Sequence, residues 1–143
     1  MKVFKIILFI CVLIIISFLL IRNINNGYTS IEINKIVFKV KIADNPLQWQ
    51  IGLSDIINLE DKEGMLFIFP ESNLRLFHMK DMKFAIDLLW IKDKMIVGVE
   101  KNMLPDKGEK KYNSKKEVDM VLELKSGSIS KYNLNIGNII KIN

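Results

Sequence analysis

The side chains with the most distinctive chemistry in this 143-residue chain fall within one short span. His78-Met79-Lys80-Asp81-Met82 sets the only histidine beside two thioethers. Soft thioethers and an imidazole are the ligands that select Cu(I), so His78, Met79 and Met82 form a candidate copper site. On an extended strand His78 and Met79 point to opposite faces, and they reach one metal only if the chain turns there. Two carboxylates sit in apolar runs nearby, Asp87 between Ile86 and Leu88 and Glu123 between Leu122 and Leu124. A buried, unpaired carboxylate is costly, so each must find donors, be protonated or open onto a cleft. If both converge on one cleft they can divide general acid and general base work, as a small hydrolase or lyase requires. The structural alternatives are local. Asp87 would accept hydrogen bonds from the 79 to 85 loop, Lys80 first, and Glu123 would pair with Lys80, Lys83 or Lys125. No G-x-S-x-G, no H-E-x-x-H and no phosphate-cradling glycine loop occurs, which leaves no catalytic or cofactor motif. The site expected from residue types is a ligand pocket lined by Phe77, His78, Met79, Lys80 and Asp87.

The elements that must position these groups are short. Apolar runs at 65–69, 86–91 and 120–124 are too brief for helices and are bounded by turn signals, so they read as central strands. Pro70 ends the first of them, because it cannot donate to a sheet ladder. Lys35 to Ala43 alternates, with Phe38, Val40 and Ile42 on one face and Lys39 and Lys41 on the other. Asp44-Asn45-Pro46 is a helix start, followed by a helix to about Leu53 with Leu47, Ile51 and Trp49 turned inward. Residues 86–91 and 95–99 pair as a hairpin around Lys92-Asp93-Lys94. Residues 101–117 form a long exposed loop, 128–134 a short helix or turn, and 139–142 a last strand. The fold class is α+β, mainly β: a compact, small, barrel-like sheet domain behind an N-terminal transmembrane helix.

That helix is read from Ile6 to Ile21, an uncharged apolar run between Lys5 and Arg22. With its flanks it reaches the lower end of the ~17 to 25 residues that span a bilayer. A cleaved signal peptide begins in the same way, but no small-x-small pair follows the apolar core. Cys11 lies in mid-core behind bulky Phe9 and Ile10, which does not fit a lipid attachment site. Residues 1–22 are therefore expected to be an uncleaved anchor, meeting the membrane through 4–21, with 23–34 a polar tether and 35–143 the domain. Lys2, Lys5 and the amino terminus against Arg22 favour a cytoplasmic amino end, which makes the protein single-pass with its C-terminal domain extracytoplasmic.

Composition excludes several classes. Lys2, Lys5 and Arg22 are three of the 21 basic residues, and all 16 acidic residues lie beyond them, so the rest of the chain carries only about +2. A nucleic-acid surface needs a clustered basic excess, and none is expected. Cys11 is the only cysteine, so the exported part holds no disulfide and no thiolate metal site.

Several motifs in order carry a resemblance: Ala43-Asp44-Asn45-Pro46, Gly52-Leu53, Glu63 to Pro70, Phe77-His78-Met79-Lys80, Ile86-Asp87, Val121 to Leu124, Gly127 and Ile136-Gly137. Over roughly 36–142 the chain resembles the domain-of-unknown-function 192 (DUF192) family. The resemblance implies a compact, mainly β domain, often behind a signal or anchor, with no agreed activity. This chain departs from the family's usual residues at Ser54 (Met), His78 (Trp), Asp81 (Asn), Ala85 (Pro) and Asn138 (Asp). The functional expectation is a membrane-anchored, extracytoplasmic binding or interaction module for an envelope component or small ligand, with no cofactor. The enzyme with the Asp87 and Glu123 pair, and copper binding, stand as alternatives.

Overall fold

A computed structural model describes residues 27–143 together with Ile10 and Cys11. The expected anchor thus lies outside the described residues, among which no helix is long and apolar enough to cross a membrane.

Over residues 27–143 nine strands and two short helices follow one another: β1 Tyr28–Ile33, β2 Ile36–Ala43, α1 Pro46–Ile51, β3 Glu63–Asn73, β4 Leu76–His78, β5 Ile86–Lys92, β6 Met95–Met103, β7 Lys111–Asn113, β8 Val118–Lys125, α2 Ser128–Lys131 and β9 Ile140–Ile142. Seven strands form one sheet in the order β6-β5-β8-β3-β2-β1-β9, and β4 pairs with β7 in a second, two-stranded sheet. Every pairing is antiparallel except β2 with β3, whose connection carries α1. The large sheet curls until its outer strands meet. Ile140 N–H donates to the Lys94 carbonyl, Ile96 N–H to Asn138 and Gly137 N–H to Ile96.

Alternation along the strands gives the curled sheet two apolar faces. Its concave side holds Ile31, Ile33, Phe38, Val40, Leu66, Leu89, Ile91, Leu122 and Leu124, closed below by Ile129 and Leu134. The convex side carries Met65, Phe67, Phe69, Leu88, Trp90 and Val121, covered by residues 49–59 and 77–84, Met103 and Tyr112. A sheet apolar on both faces must be covered twice. This explains why β3, β5 and β8 read as continuous apolar runs.

Four expectations need correction. The tether contains a strand, since Tyr28–Ile33 pairs along its whole length with β2 and buries Ile31 and Ile33. The turn that makes this hairpin is Asn34-Lys35, both at positive φ. Pro70 does not end β3, which continues to Asn73; the ladder to β8 is instead interrupted between Ile68 and Asn73, where a missing N–H costs nothing. The 101–117 stretch is not all loop. β6 runs to Met103 and β7 packs the buried Tyr112 onto the convex face.

The fourth concerns α1, which runs only to Ile51 and turns Leu47 and Ile51 outward, with Trp49 half-buried. The Trp49 indole donates to the Ala43 carbonyl at 3.0 Å and its ring tilts against Phe69. Asn45 caps the helix by accepting from Gln48 N–H at 3.1 Å, and the Gln48 side chain returns to the Asp44 N–H. Asn45→Ala removes this cap from a helix with no buried residue to hold it in place. It is expected to cost about 1 kcal/mol, read as a lower urea midpoint at unchanged slope.

Candidate functional site

Between α1 and the β4–β7 layer the convex face is left open, and a cavity of about 370 Å3 sits there. Its floor is Phe67 and Phe69 of β3 with Glu123 of β8; Trp49 to Ser54 form one wall and Leu74 to His78, with Lys80 and Met82, the other. Phe67, Phe77 and Trp90 stack edge to face in series, Phe67 to Phe77 at 5.1 Å and Phe77 to Trp90 at 5.5 Å, which fixes the Phe77 wall to the floor. Gly52 ends α1 at φ +54, and a Cβ there would stand 3.4 Å from the Phe67 ring and 3.9 Å from Glu123 Oε2. A glycine therefore lets the backbone turn sharply and come down close to the carboxyl group.

Glu123 is the unusual group. It is 6% exposed, and its Oε2 meets no hydrogen-bond partner among the described residues. Burial pushes its carboxyl up from 4.5 to about 8, so the neutral acid predominates at neutral pH. None of the expected lysine partners reaches it. Lys80 lines the rim of the same cavity, Lys125 lies two residues on and therefore on the same strand face but toward the far end, and neither forms a salt bridge with it among the described residues. Arg75 enters the same cavity with a second orphan. Its guanidinium lies 3.9 Å over the Phe69 ring and its Nη2 donates to the Glu71 carbonyl, while its buried Nε has no partner among the described residues.

Asp87 is placed differently. One register step from Glu123, opposite Leu124 on the neighbouring strand, it faces the concave side. It is 1% exposed and both oxygens are used, Oδ1 accepting from Asn102 N–H at 2.9 Å and Oδ2 from Ile129 N–H at 2.8 Å. The donors expected from the 79–85 loop are thus replaced by two distant backbone groups. Asn102 belongs to a bulge opposite Asp87, where Ile86 pairs with Met103 but Leu88 with Glu100, and it takes φ +50. Ile129 lies in α2, whose N-cap is Gly127 and has no side chain to offer. The carboxylate of Asp87 supplies the cap that Gly127 lacks. Asp87 and Glu123 therefore point to opposite sides of the sheet and do not share a cleft.

Of the five residues expected to line a ligand site, the cavity gathers Phe77, His78 and Lys80, with Met82 beside them. Met79 is buried in the convex core and Asp87 lies on the other face. His78 is exposed, and its Nδ1 accepts from Lys80 N–H at 3.3 Å. With Met79 turned away into the core, the three candidate copper ligands do not face one point. No group of three or more His, Cys, Asp or Glu among the described residues is disposed to hold a metal ion. Sequence reasoning missed Trp49, Gly52, Ser54, Phe67, Phe69 and Arg75, whose approach depends on how α1 and β4 fold over β3. Two of the positions where the family's usual residue is replaced, Ser54 and His78, lie on the cavity wall.

No curated protein matches the chain. Among solved structures, a protein from Sinorhizobium meliloti 1021 proposed to be a transcription regulator superposes with a TM-score of 0.78 at 24% identity, over 82% of this chain and 95% of that one. A protein of unknown function from Novosphingobium aromaticivorans DSM 12444 superposes with a TM-score of 0.75 at 19% identity, over 80% of this chain and 84% of the other. At these identities the likeness is one of fold. The family model DUF192, described as Uncharacterized ACR, matches residues 29–142, from the second residue of β1 to the end of β9. This protein therefore belongs to the DUF192 family.

Proposed function

We propose that this protein is a small-molecule binding module held at a membrane by its apolar N-terminal run, with the domain on the extracytoplasmic side. The ligand has an apolar or aromatic body that fills the space between Phe67, Phe69 and Phe77, accepts a hydrogen bond from Arg75 and meets the neutral acid of Glu123. One observation carries this reading: of the four buried side-chain polar atoms without a partner among the described residues, two, Glu123 Oε2 and Arg75 Nε, belong to residues lining the same aromatic-walled cavity, while Ser72 Oγ and Trp90 Nε1 lie outside its lining. Buried polar groups are nearly always satisfied within a fold, so a pair of exceptions in one cavity favours an external partner. A volume of about 370 Å3 suits a small organic molecule. An acid and base pair made of Asp87 and Glu123 gains no support from carboxyl groups on opposite faces of the sheet.

Anilinonaphthalene sulfonate, an aromatic body with an anionic acceptor, is a suitable first probe. Saturable fluorescence enhancement is expected with the folded protein. Arg75→Ala should weaken it at least about tenfold, the ~1.5 to 3 kcal/mol of a charge-assisted hydrogen bond, while leaving the melting temperature within a few degrees. Equal binding by the wild-type and Arg75→Ala proteins would place the probe elsewhere and remove the case for this cavity.

A further inference from the structure

We propose that the rim of the cavity seats on the surface of the bilayer that holds the N-terminal run, an inference that rests on the anchor reading above. Exposed apolar side chains stand on both sides of the cavity mouth. Leu47 and Ile51 occupy one stripe of α1, and Leu74 and Leu76 flank Arg75 across the opening. Single exposed leucines are ordinary on protein surfaces, but facing rows around one opening form a patch that calls for a partner.

The way the chain enters the domain selects the partner. Gly27 accepts from Ile42 N–H and Tyr28 pairs with Lys41, so the polypeptide arrives beside the last residues of β2. Those residues lead through Ala43, Asp44 and Asn45 straight into α1. The tether therefore joins the domain at the end where α1 begins, opposite the end that carries the Asn34-Lys35 turn. Its length leaves little freedom. From Arg22 to Gly27 there are five residue-to-residue steps, which span at most about 18 Å when fully extended. A domain of this size is ~35 Å across, so the end bearing α1 is held nearer the bilayer than the far end of β1. Such tethering also raises the local concentration of membrane surface, and weak apolar contacts then suffice to hold the rim down.

Charge plays the smaller part. Arg75 and Lys80 border the mouth, but Asp44 and Glu71 are exposed nearby, so the contact rests on the apolar side chains. The seated domain turns its cavity toward the lipid, which would admit an amphiphile from the bilayer without passage through water.

The test uses the full chain with Cys11→Ser and one new cysteine, either Leu76→Cys at the rim or Lys35→Cys at the far turn. Each carries an environment-sensitive fluorophore and is reconstituted into phosphatidylcholine vesicles with or without nitroxide-labelled headgroups. The Leu76→Cys label is expected to be quenched several-fold more than the Lys35→Cys label, and equally when phosphatidylglycerol is added. A label at Leu74→Cys should lose about half or more of its quenching when Leu47→Glu and Leu76→Glu are introduced. Equal quenching at both ends, or none at the rim, would overturn the inference while leaving the anchor intact, and would return the patch to a protein partner. A chain that an alkaline wash strips from the vesicles would overturn the anchor reading and this inference together.

Discussion

Glu123→Gln is expected to stabilise the domain above neutral pH and to abolish a fall in stability that the wild-type protein shows between about pH 4.5 and 8. In the folded protein the carboxyl is raised from 4.5 to about 8 by burial. Between those values the native state holds a proton that the unfolded chain has released, so stability decreases as pH rises. Below the lower value both states are protonated and the site contributes no penalty; above the upper one the full cost of a buried carboxylate is present. A displacement from 4.5 to about 8 corresponds to ~5 kcal/mol. Relaxation of the surrounding protein on ionisation lowers this to ~2 to 4 kcal/mol. Glutamine matches the neutral acid in shape and never ionises. Urea unfolding at pH 5, 7 and 9 should show the two proteins alike at the lowest pH and diverging upward. A wild-type stability that rose with pH across this window, after the Gln variant's own slope is subtracted, would show that Glu123 has found a cationic partner. A cavity ligand that binds the neutral acid would steepen the same slope, because it stabilises only the protonated native state, which makes the measurement a second assay for binding.

The three strands that could be read from their apolar runs alone, residues 65–69 in β3, 86–91 in β5 and 120–124 in β8, lie side by side with β8 in the middle, and were legible because a strand covered on both faces leaves an uninterrupted apolar run. The hairpin around Asp93-Lys94 was legible for a similar local reason. β1 was not, because Tyr28 to Ile33 is half polar and its two buried isoleucines depend on a turn, Asn34-Lys35, that lacks the glycine by which such turns are usually recognised. Periodicity also misled at α1, where Leu47 and Ile51 mark an apolar stripe that faces outward. Both carboxylates could be singled out by their apolar neighbours, yet their roles could not. A strand assigns alternate residues to opposite faces, so Glu123 and Asp87, one step out of register on paired strands, were bound to part company once that register was known. The donors to Asp87, at positions 102 and 129, are remote in sequence and are backbone groups, which residue types cannot announce.

Asp87→Ala is expected to be among the most destabilising single changes in the domain, at about 3 to 4 kcal/mol. It removes no large apolar surface; its cost comes from what it leaves behind. Ile129 N–H and Asn102 N–H would both lose their acceptor beneath a residue that is 1% exposed, at ~1 to 3 kcal/mol for each buried donor left unmade. The loss would spread along two paths. Released at its N-terminus, α2 has only Gly127 to cap it, and Ile129 and Leu134 close the lower end of the concave core. At the bulge, Asn102 holds φ +50 and accepts from Ser126 Oγ at 2.9 Å, so the β6 edge and the residues after β8 would loosen together. Asp87→Asn keeps one acceptor oxygen but turns an amide donor toward a backbone donor, and should cost ~1 to 3 kcal/mol. Hydrogen exchange would resolve the path, with protection falling first at Asn102 and across residues 128–134 and last in β3. Probe binding in the cavity on the opposite face should decline only in proportion to the folded fraction. A full loss of binding with melting unchanged would instead show that Asp87 acts in the site directly, through a conformation in which the two faces of the sheet are not separated as they are here.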